Sequence, residues 1–310
     1  MRKFSRRKFL QGGAALGAGV LTLGPLHAEA SKPKNVLSPD RMGVLVDTTV
    51  CVGCRNCEYA CKKAHAMPAG DPESYKDRGP FEKMRRPGEN DLTVVNEFKD
   101  PRDKTLLPVN VKVQCMHCDR PGCVSACIVG ALTKQENGSV IWDTKKCIGC
   151  RYCMVACPFQ IPSFQYNQAL EPEIRKCDFC NLRTKQGQLP ACIEVCPVEA
   201  ITYGPRSEVI KIAREKIRRS PDRYLNHILG EKEVDGTSWV YLASRKFTQL
   251  GFPDLPSMPA PGVSEALQHG IFSYFVPPAL FYSLLGSVMW LSKKGSDTNE
   301  HTPDKGDGDA

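Results

Sequence analysis

The sequence predicts an α+β fold of tandem, pseudo-symmetric units with short strands and helices, followed by one C-terminal transmembrane helix. Cysteines recur in four groups between residues 51 and 196, which indicates an internal repeat. Short β-prone runs stand between those groups, and a long uncharged stretch begins at residue 270. Cysteine chemistry, more than a large apolar core, is therefore expected to organise this chain.

The sixteen cysteines of this 310-residue chain define the repeat. The groups are Cys51-x2-Cys54-x2-Cys57-x3-Cys61, Cys115-x2-Cys118-x4-Cys123-x3-Cys127, Cys147-x2-Cys150-x2-Cys153-x3-Cys157 and Cys177-x2-Cys180-x11-Cys192-x3-Cys196. We call them groups one to four. Each group ends on an x3-Cys step, so its last cysteine is predicted on a short helix that follows a cysteine loop.

This spacing predicts 4Fe-4S clusters. A Cys-x2-Cys-x2-Cys run places three thiolates around a cubane, and the cysteine after x3 turns toward a second cluster. Zinc sites usually use two separated pairs, adjacent x2 spacings suit independent disulfides poorly, and c-type haem needs Cys-x2-Cys-His, which is absent. Sixteen cysteines therefore predict four clusters. His117, inside group two, is interpreted as a residue behind the ligands or at the surface.

The segments around the groups predict short strands and one longer helix. The predicted strands cover 43–46, 92–98, 109–113, 131–133, 140–142, 200–203 and 237–242. Asn137-Gly138 predicts a hairpin turn between two of them. Apolar residues at helical spacing predict a helix over 207–219, with Ser207 as its N-cap.

Composition shifts along the chain predict its domain boundaries. The predicted segments are a signal peptide at 1–30, a four-cluster domain at 31–206 with an insertion at 69–103, a helix and strand extension at 207–252, a proline-rich linker at 253–269, a transmembrane helix at 270–292 and a polar cytoplasmic tail at 293–310.

The N-terminus predicts export. Arg6-Arg7 lies in a twin-arginine motif, an apolar stretch follows from Gly12 to Leu26, and Ala28-Glu29-Ala30 resembles a cleavage signal. A basic arm with a short amphipathic helix is the alternative. Twin-arginine export moves folded proteins, which suits a protein whose iron is inserted before it crosses the membrane.

The uncharged stretch from 270 to 291 is roughly 22 residues long, enough to span a bilayer. Lys293-Lys294 follow it, as expected for a cytoplasmic end. Pro277-Pro278 indicate a kink or a late helix start, and a buried helix is the alternative interpretation. With the clusters on the far side, the predicted location is the periplasmic face of the inner membrane.

The net charge of +8 does not indicate nucleic-acid binding. The predicted leader carries much of this excess, and each cluster with its four thiolates adds a charge of roughly −2. Several basic residues lie close to the cysteine groups: Arg55, Lys62, Lys63, Lys146, Arg151, Arg175 and Lys176. These side chains either offset the cluster charges or form a solvated face.

The motifs resemble, across nearly the whole chain, the four-cluster ferredoxin-like subunits of membrane-bound respiratory oxidoreductases. The resemblance rests on Gln114 to Cys118, Gly149 to Pro158, and Lys176 through Pro197. The leader and the C-terminal apolar stretch look most like the iron–sulfur subunit of hydrogenase-2 type nickel–iron hydrogenases, and the beta subunits of formate dehydrogenases come second. Ile128 departs from the family pattern, which often has proline there.

The resemblance implies four ligand sets with crossed fourth ligands. Cluster 1 would use Cys51, Cys54, Cys57 and Cys196; cluster 2 would use Cys61, Cys177, Cys180 and Cys192; cluster 3 would use Cys115, Cys118, Cys123 and Cys157; cluster 4 would use Cys127, Cys147, Cys150 and Cys153. In the family, the first cluster lies toward the catalytic subunit and the last toward the membrane.

The expected function is one-electron relay between a periplasmic hydrogenase and a multispan, quinone-reactive membrane subunit, beside the lipid bilayer. A relay for a formate dehydrogenase or another molybdenum or tungsten enzyme is the alternative within this chemistry. A zinc-stabilised, membrane-anchored interaction module is the alternative from another class. No phosphate loop, nucleophile–base pair or open metal site is recognisable, so catalysis is expected in a partner.

Overall fold

The computed structural model of the chain describes residues 37–38, 41–100, 107–168, 171–270 and 276–297. The signal peptide predicted for 1–30 and residues 298–310 of the predicted tail lie outside these residues. Residues 33–263 form one compact unit that contains every cysteine, and the helix described beyond residue 275 belongs to a second unit.

Short strands and short helices alternate along the chain, which confirms the α+β class. The strands are β1 Met42–Asp47, β2 Thr93–Phe98, β3 Val109–Gln114, β4 Leu132–Lys134, β5 Val140–Trp142, β6 Ser163–Phe164, β7 Ile174–Arg175, β8 Ile201–Pro205 and β9 Trp239–Leu242. The α-helices are α1 Asn56–Ala64, α2 Gly122–Ser125, α3 Tyr152–Val155, α4 Asn181–Lys185, α5 Ala191–Glu194, α6 Arg206–Arg219, α7 Gly262–Gly270 and α8 Val276–Asp297. Single 3₁₀ turns occupy Pro72–Lys76, Gly79–Phe81, Glu233–Asp235 and Phe247–Leu250. All seven predicted strands form, with ends that differ by about two residues at most.

Strand β1 is the centre of a three-stranded sheet. It pairs antiparallel with β8, where Val44 faces Tyr203, and parallel with β9, where Val44 faces Trp239. Val44, Leu45 and Val46 are all buried, as expected for a strand that is covered on both faces. This sheet therefore joins the chain just before group one to the chain just after group four.

Strand β3 pairs antiparallel with β2 and buries both of its faces. Its sequence alternates valine with Asn110, Lys112 and Gln114, a pattern that usually places the polar residues in solvent. These three side chains are instead only 6%, 2% and 1% exposed. The Asn110 amide donates to the Cys51 carbonyl at 3.0 Å, so the polar face of β3 lies against a cysteine loop.

The hairpin of β4 and β5 turns at Asn137-Gly138, as the sequence predicts. Gly138 has a φ of 90°, and a Cβ atom there would lie 2.9 Å from Ser238 Oγ and 3.0 Å from the Met42 carbonyl oxygen. Only glycine adopts this positive φ and fits this space without strain, because it lacks a Cβ atom.

Helix α6 begins one residue earlier than predicted, and the expected N-cap is wrong. The N-cap position belongs to Pro205, the last residue of β8, and no side chain caps the helix. Ser207 lies inside the first turn. The proline fixes φ near the value that starts a helix, so the chain passes from strand to helix without a capping hydroxyl.

The predicted linker packs against the compact unit over part of its length. The backbone amides of Val234 and Asp235 donate to the carbonyls of Pro256 and Ser257, each at 2.8 Å. The following residues form α7 from Gly262.

The predicted transmembrane helix at 270–292 is not supported. Among the residues that the structure describes, no helix has both the length and the apolar character needed to cross a bilayer. The described helix α8 covers Val276–Asp297 and has Pro277-Pro278 in its first turn, where proline is tolerated.

A buried carboxylate connects α1 to β2, and its loss should destabilise the fold. Glu58 accepts hydrogen bonds from Arg55 at 3.0 Å and from the Val95 amide at 2.6 Å, and it pairs with Arg85. We expect Glu58→Ala to reduce the free energy of unfolding by about 3–5 kcal/mol, because it leaves buried cationic groups without their partner. Chemical denaturation followed by circular dichroism measures the change. Glu73→Ala, which removes a solvent-exposed pair with Lys76, is the control and should cost at most about 1 kcal/mol; equal losses in the two variants would contradict this role.

Candidate iron–sulfur centres

All sixteen cysteines are free thiols, and each is buried or half-buried. The disulfide framework considered from the sequence is therefore not formed. Buried thiols that are near one another are poor anions on their own, since burial disfavours the charged form and neighbouring charges add repulsion. Such a set suits a metal centre, because metal ions bind and stabilise the thiolate form.

Groups one and three share one loop geometry. Gly53 and Arg55 have φ values of 69° and 62°, and the corresponding Gly149 and Arg151 have 70° and 63°. Each arginine immediately precedes a short helix, α1 or α3, that carries the third cysteine of its group. Glycine is required at position 53, because a Cβ atom there would lie 2.5 Å from Asn110 Oδ1. The two loops are thus copies of one cysteine-presenting turn.

Groups two and four share a second geometry. His117, which precedes Cys118, has a φ of 49°, and Phe179, which precedes Cys180, has a φ of 65°. In both groups the third cysteine lies on a helix that follows a proline: Cys123 on α2 and Cys192 on α5. The pseudo-symmetry that the spacing indicates is therefore present in the backbone.

The thiols of groups one and four lie close enough to affect each other's ionisation. Burial raises the pKa of Cys51 to about 11, and the charges of Cys196 and Cys54 add to that rise. Burial likewise raises the pKa of Cys180 to about 12, with contributions from Cys192 and Cys61. Further electrostatic interactions link Cys57 to Cys51. Others link Cys177 and Cys192 to Cys61.

Groups two and three interact in the same way. Burial raises the pKa of Cys118 well above its ordinary value, and Cys115, Cys157 and Cys123 raise it further. Burial also raises the pKa of Cys153 to about 11, and the charges of Cys147, Cys127 and Cys150 contribute. Each cysteine is thus linked to members of the set that the resemblance gives it. The assignment of iron ligands itself stays a prediction.

Three more pairs of thiols link these sets in a row. The pairs are Cys57 with Cys192, Cys177 with Cys115, and Cys123 with Cys153. They connect the predicted sets for clusters 1 and 2, 2 and 3, and 3 and 4, respectively. The middle pair links groups one and four to groups two and three. It adjoins a packed aromatic group, in which the ring centroid of Phe179 lies 5.0 Å from that of His117 and 6.0 Å from that of Trp239.

The residues present fit 4Fe-4S clusters. Four cysteines for each cluster form a complete thiolate donor set. His117 is fully buried, its Nδ1 accepts from the Val140 amide at 2.8 Å, and its Nε2 has no hydrogen-bond partner. Nε2 therefore carries the proton and lacks an acceptor among the residues that the structure describes, and a cluster sulfur is an acceptor of the right kind. His117 is not the surface residue that one interpretation of the sequence allowed.

The basic residues singled out from the sequence have mixed surroundings. Arg55 is buried against Glu58, while Lys62 pairs with Asp91 and Lys146 lies exposed near Asp143. Carboxylates thus neutralise several of these charges. Lys176 is different, since it is buried and donates to the carbonyls of Val140 and Cys177.

Sequence reasoning missed His65, which connects groups one and four. Its Nε2 pairs with Asp178 Oδ1 at 2.8 Å, and its Nδ1 lies 2.8 Å from the Cys61 carbonyl oxygen. Burial lowers the pKa of His65, but Asp178 and Cys61 outweigh it and raise the pKa to about 11. The ring is therefore an imidazolium at neutral pH. The sequence signal for this residue was the position of a histidine shortly after Cys61, the last cysteine of group one.

Comparison with known proteins identifies iron–sulfur relatives. Residues 109–206 match the 4Fe-4S dicluster domain model. The chain is 46% identical to a protein of Nitratidesulfovibrio vulgaris over 79% of this chain and 66% of that relative. It is 31% identical to the hydrogenase-2 operon protein HybA of Escherichia coli O157:H7 over 96% of this chain and 97% of that relative. The iron–sulfur subunit of the nitrate-inducible formate dehydrogenase of Escherichia coli K12 is 29% identical over 73% of this chain and 76% of that relative.

The crossed ligand sets predict different outcomes for two cysteines of group four. Cys192→Ala should abolish the electron paramagnetic resonance signal of cluster 2, and Cys196→Ala should abolish that of cluster 1, although both residues belong to one group. The measurement is the reduced spectrum of each variant, together with its iron content. If each sequence group held its own cluster instead, both variants would lose the same signal.

Proposed function

Since the chain belongs to the family of iron–sulfur electron-transfer subunits of oxidoreductase complexes, we propose that it carries four 4Fe-4S clusters and relays electrons between a hydrogenase subunit and a quinone-reactive membrane subunit. The chain is an electron-transfer subunit and not a catalytic one. Each bound cluster would accept and pass on a single electron. The protein holds the clusters, keeps water from them and fixes their order.

The observation that carries this proposal is the linkage of sixteen free thiols into a single row of four sets. The electrostatic interactions of Cys57 with Cys192, of Cys177 with Cys115, and of Cys123 with Cys153 support the order 1, 2, 3, 4. A row suits transfer from one protein surface to another. Burial of the thiols supports the same function, because it limits the water that must reorganise when the charge of a cluster changes.

Similarity to HybA favours a hydrogenase as the catalytic partner. That likeness covers 97% of the relative, whereas the likeness to the formate dehydrogenase subunit covers 76% of it at 29% identity. A formate dehydrogenase or a related molybdenum or tungsten enzyme is the second candidate. The twin-arginine motif at Arg6-Arg7 supports a location on the periplasmic side of the inner membrane.

Metal analysis tests the proposed cofactors. The purified protein should be brown, absorb near 400 nm and contain about sixteen iron atoms with an equal amount of acid-labile sulfide. Reductive titration should take up about four electrons per chain, one for each cluster. A colourless protein that contains zinc would contradict the proposal and favour the non-redox interaction module.

Co-purification identifies the partner. The chain should be isolated from detergent-solubilised membranes with a nickel-containing catalytic subunit and a multispan membrane subunit. Mass spectrometry and nickel analysis of the complex provide the readout. A pterin-containing subunit in place of the nickel protein would overturn the hydrogenase assignment while leaving the electron-transfer function intact.

A further inference from the structure

The polar face of β3 places a lysine in the interior of the compact unit. Lys112 is 2% exposed, and its neighbours on this face, Asn110 and Gln114, are also buried. Transfer of an ammonium group from water to a protein interior is costly unless charge and hydrogen bonding compensate. The partners of Lys112 therefore indicate why the cation is there.

The direct partners of Lys112 are neutral. Its Nζ donates to Thr93 Oγ1 at 2.8 Å and to Gln114 Oε1 at 2.9 Å, and it lies 4.5 Å from the centre of the Trp239 ring. Within the described residues, no carboxylate comes within ion-pair distance of this ammonium. Lys134 contrasts with it, since that buried ammonium lies 3.7 Å from Asp119.

The negative charge that Lys112 lacks from carboxylates would come from cysteines that ligate iron as thiolates. Burial lowers the pKa of Lys112, but the charges of Cys192 and Cys57, followed by that of Tyr241, outweigh burial and raise the pKa above its ordinary value. Cys177 contributes in the same direction. Cys57 belongs to the predicted set of cluster 1, whereas Cys192 and Cys177 belong to that of cluster 2.

The packing agrees, because Trp239, over which the ammonium lies, belongs to the same core cluster as Cys192, and Cys57 and Cys177 pack against that cluster. Asn110, on the same face of β3, also donates to the Cys51 carbonyl at 3.0 Å. One cation thus lies near both predicted sets.

We propose that Lys112 is a shared counter-charge that raises the reduction potentials of clusters 1 and 2. This inference rests on the proposed function. One-electron reduction makes a cluster more negative by one charge, and a fixed ammonium nearby stabilises the reduced form more than the oxidised form. Lys112 is a positioning residue in this role. It binds no iron, and its charge acts through a water-poor interior where screening by salt is weak.

The potentials of the clusters in the full-length protein test this inference. Lys112→Met removes the charge but keeps much of the side-chain volume. We expect the equilibrium constants for one-electron reduction of clusters 1 and 2 to fall at least tenfold, which is a shift of 59 mV or more to lower potential. The potentials of clusters 3 and 4 should shift much less. Potentiometric titration monitored by electron paramagnetic resonance gives the values. The Cys196→Ala and Cys192→Ala variants assign the signals.

Three matched variants separate charge from structure. Thr93→Val removes one hydrogen bond to the ammonium but keeps its charge, so the potentials should stay close to those of the unaltered protein. Lys112→Arg also keeps the charge and should retain potentials well above those of Lys112→Met. Thr93→Asp places a carboxylate beside the ammonium and should lower both potentials without deletion of Lys112.

Distinct results would overturn the inference and the proposed function. Unchanged potentials for clusters 1 and 2 in Lys112→Met would contradict the role of Lys112 and leave the relay intact. If Lys112→Met fails to retain these clusters, Thr93→Asp decides. Unchanged potentials in that variant, or loss of both clusters there as well, would show that Lys112 is a structural residue only. Absence of iron–sulfur clusters from the unaltered protein would instead defeat the proposed function.

Discussion

Charge burial is the constraint on which the structure depends. Sixteen thiols lie in one compact unit, and those with resolved pKa shifts are harder to ionise than free cysteine because burial opposes their charged forms. Iron–sulfur clusters require thiolates, so the fold must make anions acceptable in its interior. A backbone amide in a left-handed turn contributes, since the Phe179 amide donates to Cys177 Sγ at 3.4 Å, and buried cations such as Lys112 contribute as well. Bound iron would stabilise the thiolates further. The small sheets and short helices are arranged around this requirement.

The proximity of groups one and four explains the topology. Group one can meet group four only if distant parts of the chain come together, and the sheet of β8, β1 and β9 provides that closure. Its central strand precedes group one, and its two neighbours follow group four. Groups two and three need no such closure, because they are adjacent in sequence and share a compact region around the β4–β5 hairpin.

Sequence reasoning reached the features that depend on local patterns. The cysteine spacing, the strands and the Asn137-Gly138 turn each have a signature of a few residues, and the structure contains all of them. Two failures were local as well: Pro205 replaced the predicted cap Ser207, and the last cysteines of groups two, three and four lie just beyond the short helices that were predicted to carry them. In the first case a proline set the helix start, because its fixed φ suits the first turn.

The environment of β3 is a feature that local patterns do not supply, because the rule of alternation favours the opposite environment. Polar residues at every second position normally mark a solvent-facing side, but Lys112 and Gln114 face the interior. No local pattern could reveal this, since the face is covered by elements more than a hundred residues away: Gln114 donates to Tyr241, and Lys112 lies over Trp239. A buried polar strand face is costly in an ordinary core and is retained here beside a set of anions. Such a departure from local rules indicates function. A buried polar residue such as Lys112 must be stabilised by partners that the local sequence does not contain.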